Sequence, residues 1–322
     1  VNYEVEYWDL VGLLLTEHED YGEKNEKYLK KITNYTQLKK ELSQIENKNT
    51  FFFSNVSLNY KFMKFFRILH NFNCKIYKIN NFARPINLEK RSIKKKVIDH
   101  LSNPSKFFLI LFNIYYIKFH KKLNLISKPH TIFAAGDSEV ALSDWCDNCI
   151  PVNSNDHENS KEFNTEKLIN EKYCIFLDVY LPFHNDLKIN NTKIVNSSKY
   201  YSSLNSFFDK IENELGYKVV ICSHPTAINN DRYFNNRPVY SLKTMELTYN
   251  AEFCLSHHST SMNFAIIFKK PIFFIYNNEM KELYKNSYMR DFKSLSENLN
   301  MPLINVDQKF NYKYPEINIE IY

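Results

Sequence analysis

Three polar clusters in the second half of the chain carry residue types that do chemistry, and each closes an apolar run. The first is Asp178, in Phe176-Leu-Asp-Val-Tyr-Leu-Pro-Phe-His184. The second is Ser223-His224-Pro225, which follows Lys218-Val-Val-Ile-Cys222. The third is Ser256-His257-His258-Ser259-Thr260-Ser261, which follows Phe253-Cys-Leu255. A carboxylate at a strand end can take a proton from a reacting hydroxyl. Proline holds the residue before it extended, so His224 is aimed in a fixed direction. Hydroxyls and unpaired backbone N–H groups at the start of a helix favour a phosphate. Each cluster alone also reads as plain architecture. Asp178 can cap a turn, the His-Pro pair can be a rigid turn, Ser259, Thr260 and Ser261 can be an N-cap, and His257 and His258 can be satisfied turn residues. Three such clusters on successive strand ends favour a site over three coincidences.

The elements that must position these groups follow from hydrophobic period. Strands are expected at 5–10, 50–56, 75–79, 131–135 and 150–152 in the first half, with a helix over 60–71 marked by Phe62, Phe65, Phe66 and Leu69. Residues 25–45 and 88–123 read as charged or basic helices. In the second half, 173–178, 218–222, 253–255 and 272–276 read as buried strands. Helices are expected over 200–215, ended by Gly216, and over 241–249, 261–268 and 281–299, with an irregular tail from Pro302. The unit from Cys254 to Tyr276 is strand, polar turn, helix and strand, the building block of a parallel sheet. Such sheets place ligands at the carboxyl ends of their strands. A fourth polar turn, Gly136-Asp-Ser-Glu139, closes a strand of the first half. The strand at 5–10 starts at once and looks like the second of a doubly wound domain, so the N-terminal domain reads as truncated. Two alternating halves, residues 1–155 and 173–322 joined by a polar linker over 156–172, give an α/β chain of two Rossmann-like domains facing a cleft.

Composition narrows the chemistry. The chain has 322 residues, of which 44% are hydrophobic and 24% charged, enough for two domains and ordinary for a globular protein. Only 4 glycines are present, so no glycine-rich phosphate loop can be built. Cys174, Cys222 and Cys254 lie in apolar runs and read as buried thiols. Cys146-Asp-Asn-Cys149 has metal spacing but no second pair, so no metal site is expected. No secretory signal is expected, and the longest apolar run, 107–117, is about half of what a bilayer requires. A cytoplasmic setting fits. The net charge of +6 is local: Lys90, Arg91, Lys94, Lys95 and Lys96 precede the aromatic run, and Lys118, Lys121, Lys122 and Lys128 follow it. That pattern reads either as solvated helix faces or as a peripheral contact with the inner face of the plasma membrane. No nucleic-acid recognition motif is present.

The order Asp178, His224-Pro225, then the Ser/Thr-rich turn resembles bacterial glycosyltransferases of the two-Rossmann, GT-B architecture that act in surface-polysaccharide synthesis. It is similar in particular to bacterial sialyltransferases with an acidic, a His-Pro and a Ser/Thr motif. The resemblance covers about a third of the chain, and 255–271 is its most specific part. It implies a nucleotide-sugar donor, with CMP-sialic acid or a related CMP-nonulosonate first, and a glycan or lipid-linked glycan acceptor. It implies that His224 and Pro225, with Ser256, His258, Ser259, Thr260 and Ser261, hold the donor, and that Asp178 and His224 are catalytic. The acidic motif departs from the family's, since Val179-Tyr180-Leu181-Pro182 follows Asp178 where glycine is usual. Asp137, Ser138, Glu139 and His184 are therefore candidates on the acceptor side. No cofactor is expected, and transfer is expected to be metal-independent. A nucleotide-sugar 2-epimerase and a non-catalytic glycan-binding protein share the architecture and stand as alternatives.

Overall fold

The computed structural model describes residues 4–15, 27–45, 50–80, 104–136, 145–163, 165–184, 187, 192–227, 230–257, 259–285 and 288–309. These residues divide into two compact units, one running up to Val152 and one from Asn153 onward.

The first unit holds β1 (Tyr7–Asp9), α1 (Val11–Leu14), β2 (Leu29–Lys31), α2 (Tyr35–Ser43), β3 (Phe52–Phe53), α3 (Met63–Asn71), β4 (Ile76–Asn80), α4 (Pro104–Lys122), β5 (Thr131–Ala134) and β6 (Asn148–Pro151). Strands β3 to β6 form a parallel sheet in sequence order. Helix α3 forms where the apolar spacing asks for it and buries Met63, Phe65, Phe66, Ile68 and Leu69. Two expectations change here. The strand near the start does not join this sheet. Among the described residues strand β1 pairs only with β2, in a separate parallel ribbon. The helix expected over 25–45 begins only at Tyr35, where the Asn34 side chain accepts the Gln37 N–H, and Leu29–Lys31 is the ribbon's second strand. Three residues, two of them lysine, are too short and too polar to announce a strand.

The second unit holds α5 (Asn155–Asn159), β7 (Tyr173–Leu177), α6 (Ser197–Lys210), β8 (Lys218–Ser223), β9 (Val239–Ser241), α7 (Thr244–Asn250), β10 (Cys254–Ser256), α8 (Met262–Ile267), β11 (Ile272–Tyr276), α9 (Asn278–Leu283), α10 (Tyr288–Asn298) and β12 (Leu303–Asn305). Its sheet is six-stranded and parallel, in the order β12-β11-β10-β7-β8-β9. Counted from β7 as first strand, this is the 3-2-1-4-5-6 order of the doubly wound nucleotide-binding fold. The direction of strand addition reverses between β7 and β10.

Both faces of this sheet are covered. Side chains alternate across a strand, so Cys174 and Phe176 of β7 enter one core while Tyr173, Ile175 and Leu177 enter the other. All five are buried, which is why the strand reads as one continuous apolar run. The last turn of α6 widens into a π-helical turn over Ile211–Leu215. Gly216 ends it at φ 71°, a left-handed conformation that glycine adopts without strain. Residues expected as a linker are packed on this unit. Asn263 of α8 donates to Asp156 of α5 at 2.8 Å, Phe163 packs against Tyr249 and Phe268, and Ile169 is in the core. The tail expected to be irregular contributes β12, and the helix expected over 281–299 is described as the two helices α9 and α10.

Candidate functional site

The carboxyl ends of β7, β8 and β10 lie on one edge of the six-stranded sheet, with β7 and β10 on either side of the reversal. In an open α/β sheet that point leaves a crevice for a ligand. The sequence therefore places Asp178, the Ser223 to Pro225 cluster and the Ser256 to Ser261 turn around one position.

Asp178 follows β7 directly and is almost wholly buried, at 4% exposure. Its N–H donates to the Cys222 carbonyl at 3.0 Å, tying it to β8. One carboxylate oxygen accepts the Tyr180 N–H at 2.9 Å, and the other accepts the Asn230 side-chain amide at 3.0 Å. Asn230 in turn accepts the Ser223 hydroxyl at 3.3 Å. Tyr180 adopts φ 51°, a left-handed conformation rare for an aromatic residue, and so folds its N–H back onto the carboxylate. Burial pushes the Asp178 carboxyl up to about 6, against the opposing pull of the Tyr180 and Asn230 hydrogen bonds. Asp178 thus links two strand ends from beneath the surface.

His224 is half-buried, and its Nδ1 lies 2.8 Å from the Thr226 hydroxyl. The ring of His184 stands edge-on to it, with centroids 5.4 Å apart. His184, expected on the acceptor side, therefore sits beside His224, at the end of the short turn Leu181–Phe183 that follows Asp178. The two imidazoles come from different strand ends and are not wholly buried. Pro225 is exposed.

The third cluster divides into a buried part and a reachable part. Ser256 is fully buried, and its hydroxyl donates to the His257 carbonyl at 2.7 Å. His257 is also buried. Its Nδ1 lies 2.6 Å from the Ile275 carbonyl, which can only accept, so Nδ1 carries the proton and Nε2 takes the Tyr200 hydroxyl at 2.8 Å. Burial lowers this imidazole to about 4, so it is neutral. Ser256 and His257 thus shape the turn. Ser259 is half-buried and accepts the Ser261 N–H at 3.2 Å. Thr260 is exposed, and Ser261 begins α8 without a capping bond of its own. His258, Asp137, Ser138 and Glu139 lie outside the described residues.

Three neighbours were not singled out by sequence. Asn230 sits in a run of polar residues where nothing marks one asparagine from another. Tyr200 and Tyr201 read only as the first residues of a helix. Tyr201 is 4% exposed, and its hydroxyl has no hydrogen-bond partner among the described residues, while its ring stacks on Tyr233 at 4.4 Å. Among the described residues no group of three His, Cys, Asp or Glu side chains could hold a metal ion.

No protein-family description and no curated protein matches the chain. Among solved structures it is similar to the calicheamicin glycosyltransferase CalG4, at 11% identity and a TM-score of 0.41, covering 77% of this chain and 59% of that one. It is similar to the UDP-GlcNAc 2-epimerase of Methanocaldococcus jannaschii in complex with UDP-GlcNAc and UDP, at 12% identity and a TM-score of 0.40, covering 89% and 76%. It is also similar to the glycosyltransferase SnogD from Streptomyces nogalater, at 7% identity and a TM-score of 0.32, covering 80% and 86%. The chain thus spans 59% of the length of CalG4.

Proposed function

We propose that this chain is a glycosyltransferase that takes a nucleotide-sugar donor at the carboxyl edge of the second unit. One observation carries the reading. The strand order reverses between β7 and β10, and the polar ends of β7, β8 and β10 surround that reversal. Of the donor-side residues singled out in the sequence, His224, Ser259, Thr260 and Ser261 carry polar groups and are not wholly buried, and their chemistry suits a phosphate. The motif order favours CMP-sialic acid or a related CMP-nonulosonate as donor. The acceptor is then a glycan or lipid-linked glycan of a surface polysaccharide or lipooligosaccharide.

In the reaction the acceptor oxygen bonds to the anomeric carbon while the bond from that carbon to the CMP phosphate oxygen breaks. CMP departs with the bonding electrons as a phosphomonoester. His224 and the hydroxyls of the turn stabilise the charge that gathers on the phosphate, without a metal ion. The acceptor proton goes to His184, which stands against His224. Asp178 holds the ends of β7 and β8 in register through Asn230, so the catalytic role first read into its carboxylate becomes a positioning one.

Thermal shift with CMP, CDP, UDP and GDP tests the donor class, because a ligand that binds only the folded state raises apparent stability by mass action. Stabilisation by CMP, abolished in His224→Ala, is expected. Stabilisation by UDP alone, or CMP-sugar turnover unchanged in both His224→Ala and His184→Ala, overturns the assignment. Conversion of the donor sugar without acceptor would identify an epimerase instead.

A further inference from the structure

We propose that α4 of the first unit is a membrane-docking helix that lies flat on an anionic lipid surface. Its outward stripe is Phe108, Phe112, Tyr115 and Phe119, spaced by four, three and four residues, one face of an α-helix, and Leu123 continues it in the turn just past the helix end. All five are exposed, Phe108 and Tyr115 at 67%. Leu109, Ile110 and Ile114 are exposed as well, so the N-terminal half of the helix is apolar on more than one side, and it is over the C-terminal half that the opposite face is spent on the fold. Asn113 accepts the Tyr60 N–H at 2.8 Å, Tyr116 and Ile117 pack on the first unit's core, and His120 is buried with Nδ1 2.9 Å from the Tyr116 carbonyl. Aromatic side chains of this number on one exposed stripe are not what a water-facing surface carries.

The charges decide the occupant. The helix has no acidic residue. Lys118 and Lys122 are exposed along one flank of the stripe, whereas Lys121 is turned inward over the Trp145 ring at 3.9 Å. Apolar and aromatic side chains beside cations alone match the boundary between acyl chains and anionic headgroups. A second copy fits less well, because a two-fold interface sets the same face against itself and would bring lysine toward lysine. No helix of the described residues is long and apolar enough to cross a bilayer, so the contact is peripheral.

Co-sedimentation of the full chain with vesicles tests this directly. Binding is expected to phosphatidylcholine vesicles containing phosphatidylglycerol, and far weaker binding to phosphatidylcholine alone. Replacing Phe108, Tyr115 and Phe119 together by serine should lower the partition coefficient by about 100-fold. Lys118→Gln with Lys122→Gln should lower it by about 10-fold and remove most of its salt dependence. All five side chains are exposed, so the unfolding midpoint and the CMP-induced thermal shift should stay where they are, which keeps this outcome separate from the donor reading. Equal binding of the wild-type chain and the serine variant, or no binding to either vesicle, overturns the proposal. So does a concentration-dependent dimer that the serine variant dissolves, since that would make a second copy the occupant.

Discussion

The two units use parallel sheets differently. In the second, β7, β8, β10 and β11 are buried almost end to end, with a separate apolar core on each face. In the first, the described core gathers around α2, α3 and Ile76, while Phe51, Phe53, Ile79 and Ile150 of the strand region stand exposed. A sheet covered on both faces fixes the ends of its strands, and a ligand site built on those ends inherits that rigidity. A sheet with apolar side chains still facing outward has surface left for contacts of another kind. The polar clusters fall on the first sort of sheet, and the aromatic helix α4 belongs to the unit with the second.

The contrast can be broken most sharply by paired truncations. Phe176→Ala removes a ring that packs on Phe208, Phe234 and His257. It should cost about 3–5 kcal/mol in a denaturant titration. Phe53→Ala, at a ring 58% exposed, should cost about 0.5 kcal/mol or less. Equal losses would mean that the two sheets are covered alike.

A second test uses pH. Asp178 has a raised folded pKa of about 6, so its contribution to stability is greatest below about 4 and is lost as pH rises through 6. His257 has a lowered folded pKa of about 4, so its contribution is present above 6.5 and is lost as pH falls through 4. The two slopes oppose each other between about 4 and 6, and each amounts to roughly 3 kcal/mol in total. Asp178→Asn should therefore expose the histidine slope, and urea midpoints should climb with pH over that interval more steeply than in the wild type. An unchanged profile would show that the buried carboxyl does not titrate there.

Smaller effects sharpen the picture. Asn230→Ala leaves one Asp178 oxygen without its donor and should cost about 1–3 kcal/mol, read from the same titrations. In the first unit, Asn34→Ala removes the cap of α2 and should cost about 1 kcal/mol.

The strands of the second sheet were legible because continuous apolar runs such as 173–177 and 272–276 have few other uses. Their edge order was not legible, since Leu303–Asn305 and Val239–Ser241 are short and mixed in polarity. The same limit hid the β1–β2 ribbon. In the site, the residue types were visible but their depth was not. Ser256 and Thr260 look alike as letters, yet one is sealed under the sheet edge and the other faces water. Period tells which face a side chain takes within a strand, and it says nothing of the residue just past the strand's end, where most of this site lies. The meeting of His184 with His224 depends on the left-handed turn at Tyr180, a conformation no glycine announced.

The chain of contacts from Tyr200 through His257 to the Ile275 carbonyl has a consequence for motion. It joins α6, the turn after β10 and β11 in one buried line. His257 cannot swing outward without leaving a hydroxyl, an imidazole and a carbonyl dry and unpaired, so the end of β10 is held in place. Hydrogen exchange at these amides should be as slow as in the central strands. Whatever else in the second unit moves, this end of the sheet keeps still.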